Sequence, residues 1–88
     1  MDFLHKREYM NGGDVVIVDC SHRCNVMLMA DYDFQNYRRG HGHRYFGGHY
    51  ERLPARIVVP SDGWWNITLD LGGGRATIQH SIRIVKAA

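Results

Sequence analysis

The chain has 88 residues, 44% of them hydrophobic and 23% charged, which fits one globular domain and excludes a second core or a disordered chain. Its formal net charge of +2 is too small to mark a nucleic-acid protein by charge alone. The longest apolar runs, Val15–Val18 and Val26–Ala30, are far too short to span a membrane.

Met1-Asp2-Phe3-Leu4-His5-Lys6-Arg7 lacks the apolar stretch of a secretion signal. Cys20 and Cys24 make no disulfide framework, so the expected setting is the cytoplasm, with reduced thiols. Asn66-Ile67-Thr68 is then a chance match to a glycosylation sequon.

Taken in order, Phe3–Tyr9 alternates weakly and reads as an edge strand. Asn11-Gly12-Gly13-Asp14 is a turn, because Asn and Gly tolerate positive φ. Val15–Val18, four β-branched residues, predicts a strand buried on both faces. After the polar break Ser21-His22-Arg23, Asn25–Ala30 is a strand with Val26, Leu28 and Ala30 on one face and Met27 and Met29 on the other. The period then changes. Asp31 is placed as an N-cap, Phe34 and Tyr37 share a face, and Gly40 can take the left-handed stop. One short helix near 32–39 follows from this.

Arg44–Tyr50 reads as an irregular strand, bulged at Gly47-Gly48. Leu53-Pro54 bars a central ladder position, and Arg56–Val59 resumes a strand. Beyond the turn Pro60-Ser61-Asp62-Gly63, Trp65, Ile67, Leu69 and Leu71 alternate with Trp64, Asn66, Thr68 and Asp70. Trp65 is therefore a core anchor, and Trp64 falls on the polar face. Gly72-Gly73-Gly74 is a turn and not a phosphate loop, and Ala76–Lys86 closes the chain as a long strand with His80 among isoleucines. The expected fold is all-β: a single jelly-roll-like β-sandwich over residues 1–88, with about seven or eight short strands and one helix.

Chemistry concentrates in Tyr37–Tyr50. From Arg38 to Arg56 there are five arginines against one acid, Glu51, and overall arginine outnumbers lysine nine to two. Arginine supplies paired donors to phosphate or carboxylate, and aromatic rings can stack on a base. The expected ligand-binding residues are Arg38, Arg39, His41, His43, Arg44, Tyr45, His49 and Tyr50. Arg52, Tyr37 and Phe46 stand close by in sequence.

His41, His43 and His49, with His5 as a further ligand, have the residue type for zinc, copper or nickel. The flanking arginines would repel a cation, and no carboxylate or cysteine is near. No metal and no cofactor is expected. Cys20 and Cys24 are separated by three residues, where most structural zinc and redox motifs have two. No serine or cysteine has a nucleophile context, and no catalytic residue is assigned.

Phe3-Leu4-His5, Gly12-Gly13-Asp14-Val15-Val16, Asn25-Val26-Met27-Leu28-Met29, Phe34-Gln35-Asn36-Tyr37-Arg38, His43-Arg44-Tyr45-Phe46-Gly47-Gly48-His49, Pro60-Ser61-Asp62-Gly63-Trp64-Trp65 and Asp70-Leu71-Gly72-Gly73 belong together. With these stretches the chain resembles one small bacterial family, domain of unknown function 1883. The resemblance covers nearly the whole chain, and His43–His49 is its most distinctive part. It implies a compact β-sandwich, sometimes attached to TIR-type signalling domains, and brings no activity, substrate or catalytic residue. A looser similarity, in the order of elements and in Pro60-x-x-Gly63-x-Trp65, is to jelly-roll-like binding or stabilising modules.

The functional expectation is a non-catalytic module that binds an anionic ligand or a protein partner through its basic, aromatic, His-rich face. It would act as a monomer or weak homodimer, away from membranes. A single-stranded nucleic-acid or nucleotide binder is the alternative, and a small enzyme with a site assembled only in three dimensions is the third reading.

Overall fold

A computed structural model describes residues 3–70 and 79–87. Seven strands and one helix lie among them: β1 (Phe3–Met10), β2 (Val15–Cys20), β3 (Cys24–Ala30), α1 (Asp31–Arg38), β4 (Phe46–Tyr50), β5 (Ala55–Val58), β6 (Gly63–Asp70) and β7 (His80–Val85). They form two antiparallel sheets, ordered β1-β6-β3-β4 and β5-β2-β7. The pairs β1·β6, β2·β5 and β3·β4 are nested one inside the next. A long antiparallel ribbon rolled on itself gives that nesting, which is how a jelly roll is built. The chain is an all-β sandwich.

Period-two alternation dictates what fills it. Val16, Val18 and Cys20 of β2 and Ala55 and Ile57 of β5 meet Val26, Leu28, Trp65, Ile67 and Leu69 from the facing sheet. A fully buried leucine or isoleucine here contributes about 1.5–3 kcal/mol. The indole of Trp65 is buried, and its Nε1–H donates to the Ser61 carbonyl at 2.9 Å, so its one polar atom is satisfied. Turns are tied to one another by carboxylates. Buried Asp14 accepts from the Asn11 and Ala87 amides, and Asp62 accepts from the Gly12 amide.

The helix lies on the outer face of the four-stranded sheet. Phe34 and Tyr37 pack there with Met27, Met29 and Phe3 as a second, smaller apolar cluster. Gly40, at φ +74°, ends the turn in the left-handed region as expected. Two expectations change. Ala30, not Asp31, is the N-cap and carries no side-chain cap bond, because the Asp31 carboxylate is drawn sideways to β1. The polar side of β6 is not a solvent face: Asn66 and Thr68 are 1% and 0% exposed, being roofed by the helix.

β4 spans only Phe46–Tyr50, with Gly47 at φ +112° and Gly48 at +151°. A Cβ on Gly47 would run into the Val26 carbonyl oxygen and crowd the Ile57 side chain. Glycine is demanded there by sterics and by φ together. Residues 71–78 lie outside the described residues, and with them the triple-glycine turn and the expected Ala76–Ile78 start of β7. His80 is exposed at the start of β7, while Ile82 and Ile84 pack against the core. Among the described residues no helix is long and apolar enough to cross a membrane.

Candidate functional site

Strand pairing sets the side chains of the outer face in rows. Phe3, Asp70, Asn25 and His49 stand side by side, then His5, Thr68, Met27 and Gly47, then Arg7, Asn66 and Met29, and last Tyr9 beside Trp64. The helix covers the middle of this lattice and leaves a flank on either side.

On the β1 flank an open cleft of about 540 Å³ is lined by Phe3, His5, Arg7, Asp31, Phe34, Gln35, Arg38 and Asn66. A continuous polar chain builds its floor. Arg7 grips Asp31 with two bonds, Nε to Oδ1 at 3.0 Å and Nη2 to Oδ2 at 2.7 Å. Asn66 Nδ2 donates to Asp31 Oδ1 at 2.8 Å and to the Met29 carbonyl at 3.2 Å. Both amide hydrogens are thereby used, so Asn66 Oδ1 is the acceptor facing His5 Nε2 at 2.8 Å. The network thus assigns a proton to Nε2 of His5 and leaves Nδ1 without a bond among the described residues. The imidazole is held from the side as well, lying flat on Phe34 with 3.9 Å between ring centroids and 10° between planes.

Charges around the helix are unequally engaged. Hydrogen bonds from Arg7 first, and from Asn66 next, hold the Asp31 carboxyl down at about 2. Asp33 accepts from the Arg44 amide, and Asp70 accepts from the Tyr37 hydroxyl at 2.5 Å. Burial, with the Asp70 bond second, pushes the Tyr37 phenol up. Among the described residues Arg38, Arg39 and Arg44 have no carboxylate partner. Arg38 leans over Phe34 with 5.8 Å from guanidinium carbon to ring centroid. At the opposite end Arg7 sits 4.2 Å above Trp64, and Tyr9 meets that indole edge-on. Trp64 and Tyr9 are each 50% exposed.

The expected site residues are divided by the helix. Arg38 alone among them lines the cleft. His43, half-buried, is edge-on to Tyr37 at 5.1 Å and close to Tyr45 at 5.7 Å. His49 on β4 bonds to Asn25 through Nδ1 at 3.1 Å. Tyr50 packs against the sandwich core. Arg39, His41 and Arg44 are exposed beyond the helix end. Among the described residues no group of three or more His, Cys, Asp or Glu side chains is placed to hold a metal ion. Cys20 and Cys24 are free and buried, and burial, with the neighbouring Cys20 thiol second, pushes Cys24 up to about 12.

His5, Arg7, Asp31, Phe34, Gln35 and Asn66 complete the cleft without having been expected there. Phe3 lines it as well, and the signal for Phe3, His5 and Arg7 lay in the odd positions of Phe3–Tyr9, which all face one way. Their partner Asn66 lies 61 residues from His5, and that pairing is a product of the rolled topology.

No curated protein and no solved structure matches the chain. The model of the family described as a domain of unknown function (DUF1883) matches residues 1–88, the whole chain. The chain belongs to the DUF1883 family.

Proposed function

We propose that the domain is a non-catalytic binding module whose ligand seat is the cleft between β1 and α1, and that the ligand or partner surface is anionic. One observation carries the reading. A buried amide, Asn66, fixes an exposed imidazole and an Arg–Asp pair at one cleft whose mouth holds an arginine, Arg38, with no carboxylate partner among the described residues. Arg7, held by Asp31, and Arg38, leaning on Phe34, supply guanidinium donors on a fixed frame, which suits anion recognition because little ordering entropy is then lost on binding. Among the described residues the one carboxylate lining the cleft, Asp31, is committed to Arg7 and Asn66, which leaves Arg38 to give the cleft a positive character. The seat is narrower than Arg38–Tyr50: Arg38 belongs to it, and the histidines beyond Gly40 flank it.

Non-catalytic is the better reading because no serine, threonine or cysteine is among the described residues that line this cleft, and Thr68, next to His5 in the sheet, is fully buried. Free, buried thiols support a reducing compartment such as the cytoplasm. A thermal-shift screen of inorganic phosphates, nucleotides, acidic peptides and oligonucleotides tests the proposal. Binding raises Tm by mass action, and the rise should vanish in His5→Ala and Arg38→Ala. A rise that persists undiminished in both variants would place the site elsewhere.

A further inference from the structure

We infer that the anionic ligand of this cleft is a single-stranded nucleic acid, its bases stacking at Trp64 and Tyr9 and its phosphates held by Arg38 and Arg39. The inference rests on the proposed seat and adds a second, independent observation. Trp64 is half-exposed on a sheet face where its neighbours Asn66 and Thr68 are buried. Its ring is held in place by Arg7 at 4.2 Å and by the edge of Tyr9 at 5.6 Å. A fixed, solvent-facing indole backed by a guanidinium is a stacking platform for any base, since every base offers a π-face.

Spacing supports the same occupant. The eight residues of α1, about 12 Å at 1.5 Å per residue, run from Asp31, which holds the Arg7 that lies on Trp64, to Arg38 at the other end of the cleft. Three to four stacked nucleotides at roughly 3.4 Å each cover that length. A duplex fits poorly, because the only helix among the described residues packs flat on its sheet and cannot enter a major groove. A simple anion would leave the aromatic end unused.

Trp65 is 8% exposed against 50% for Trp64, so a change in tryptophan emission reports chiefly on Trp64. The experiment titrates the full chain with an oligodeoxythymidylate, with inorganic polyphosphate and with polyglutamate. The oligonucleotide should quench emission saturably. With two phosphates engaged, its affinity should fall about sevenfold between 50 and 200 mM salt. Trp64→Leu should weaken it about tenfold or more and abolish the quench, while Trp64→Phe, which keeps a ring, retains most of the binding. Circular dichroism melts establish that each variant is folded.

Equal affinity for oligonucleotide and polyphosphate, with Trp64→Leu binding like wild type, overturns the nucleic-acid inference and leaves the anionic seat standing. So does tighter binding of polyglutamate. Binding of none of the three sinks both.

Discussion

The imidazole of His5 lies flat on the ring of Phe34, and its edge is bonded to Asn66 beneath. That contact joins an edge strand to the only helix among the described residues. It also makes an otherwise mobile surface histidine part of a fixed array. Through Asn66 and Asp31 the array continues to Arg7 and Trp64.

Asn66 is the centre of that array and is 1% exposed. Replacing it by alanine strips a buried partner from the Met29 carbonyl and from His5 and leaves a small void. Asn66→Ala should destabilise the fold by about 2–3 kcal/mol, read from urea unfolding. Its binding loss should exceed that of Gln35→Ala, which borders the same cleft and has no part in the network.

Acid should unpick the Asp31 pair. Its folded carboxyl titrates at about 2 against an ordinary 3.8, so its contribution is present above about pH 4 and is lost as pH falls toward 2. Asp14, lowered first by the Ala87 amide and then by the Asn11 amide, acts in the same direction. Unfolding measured across that window should show a shallower loss of stability in Asp31→Asn than in wild type. Parallel profiles would contradict the linkage.

Thr68 is fully buried, and its hydroxyl has no partner among the described residues. Valine has the same shape without the polar atom. Thr68→Val should stabilise the domain by about 1 kcal/mol, since an unmade buried hydrogen bond costs about that much or more. A lower Tm in the variant would mean the hydroxyl is engaged.

Gly47 should tolerate no side chain. A Cβ meets the Val26 carbonyl at a φ only glycine adopts easily. Gly47→Ala should cost at least about 2 kcal/mol, whereas Gly42→Ala, with open space around it, should be close to neutral. The two melting curves decide it.

Much of the sandwich is legible in alternation and turns. Val26 and Leu28 against Met27 and Met29, and Trp65, Ile67 and Leu69 against Trp64, Asn66 and Thr68, fall on the faces their period assigns. The short helix is announced by Phe34, Tyr37 and Gly40. Composition misleads about the site. Tyr37–Tyr50 is rich in arginine, histidine and tyrosine, yet Tyr37 and Tyr50 are spent on packing, and His43 and His49 lie across the helix from Arg38. The cleft instead draws on β1, β6 and α1, which meet only because β6 returns beside β1. A polar face such as Asn66 and Thr68 reads as solvent-exposed until something is known to cover it. No local rule says that α1 folds back over its own sheet.

The most direct test of the central claim is an amide-resolved NMR titration with inorganic polyphosphate and, in parallel, an oligodeoxythymidylate. The largest shifts should cluster at His5, Arg7, Phe34, Gln35 and Arg38, with the buried Asn66 side-chain amide moving alongside them. Shifts centred on His41 and His49, or on the Val15, Val58 and Val85 row of the opposite sheet, would contradict it.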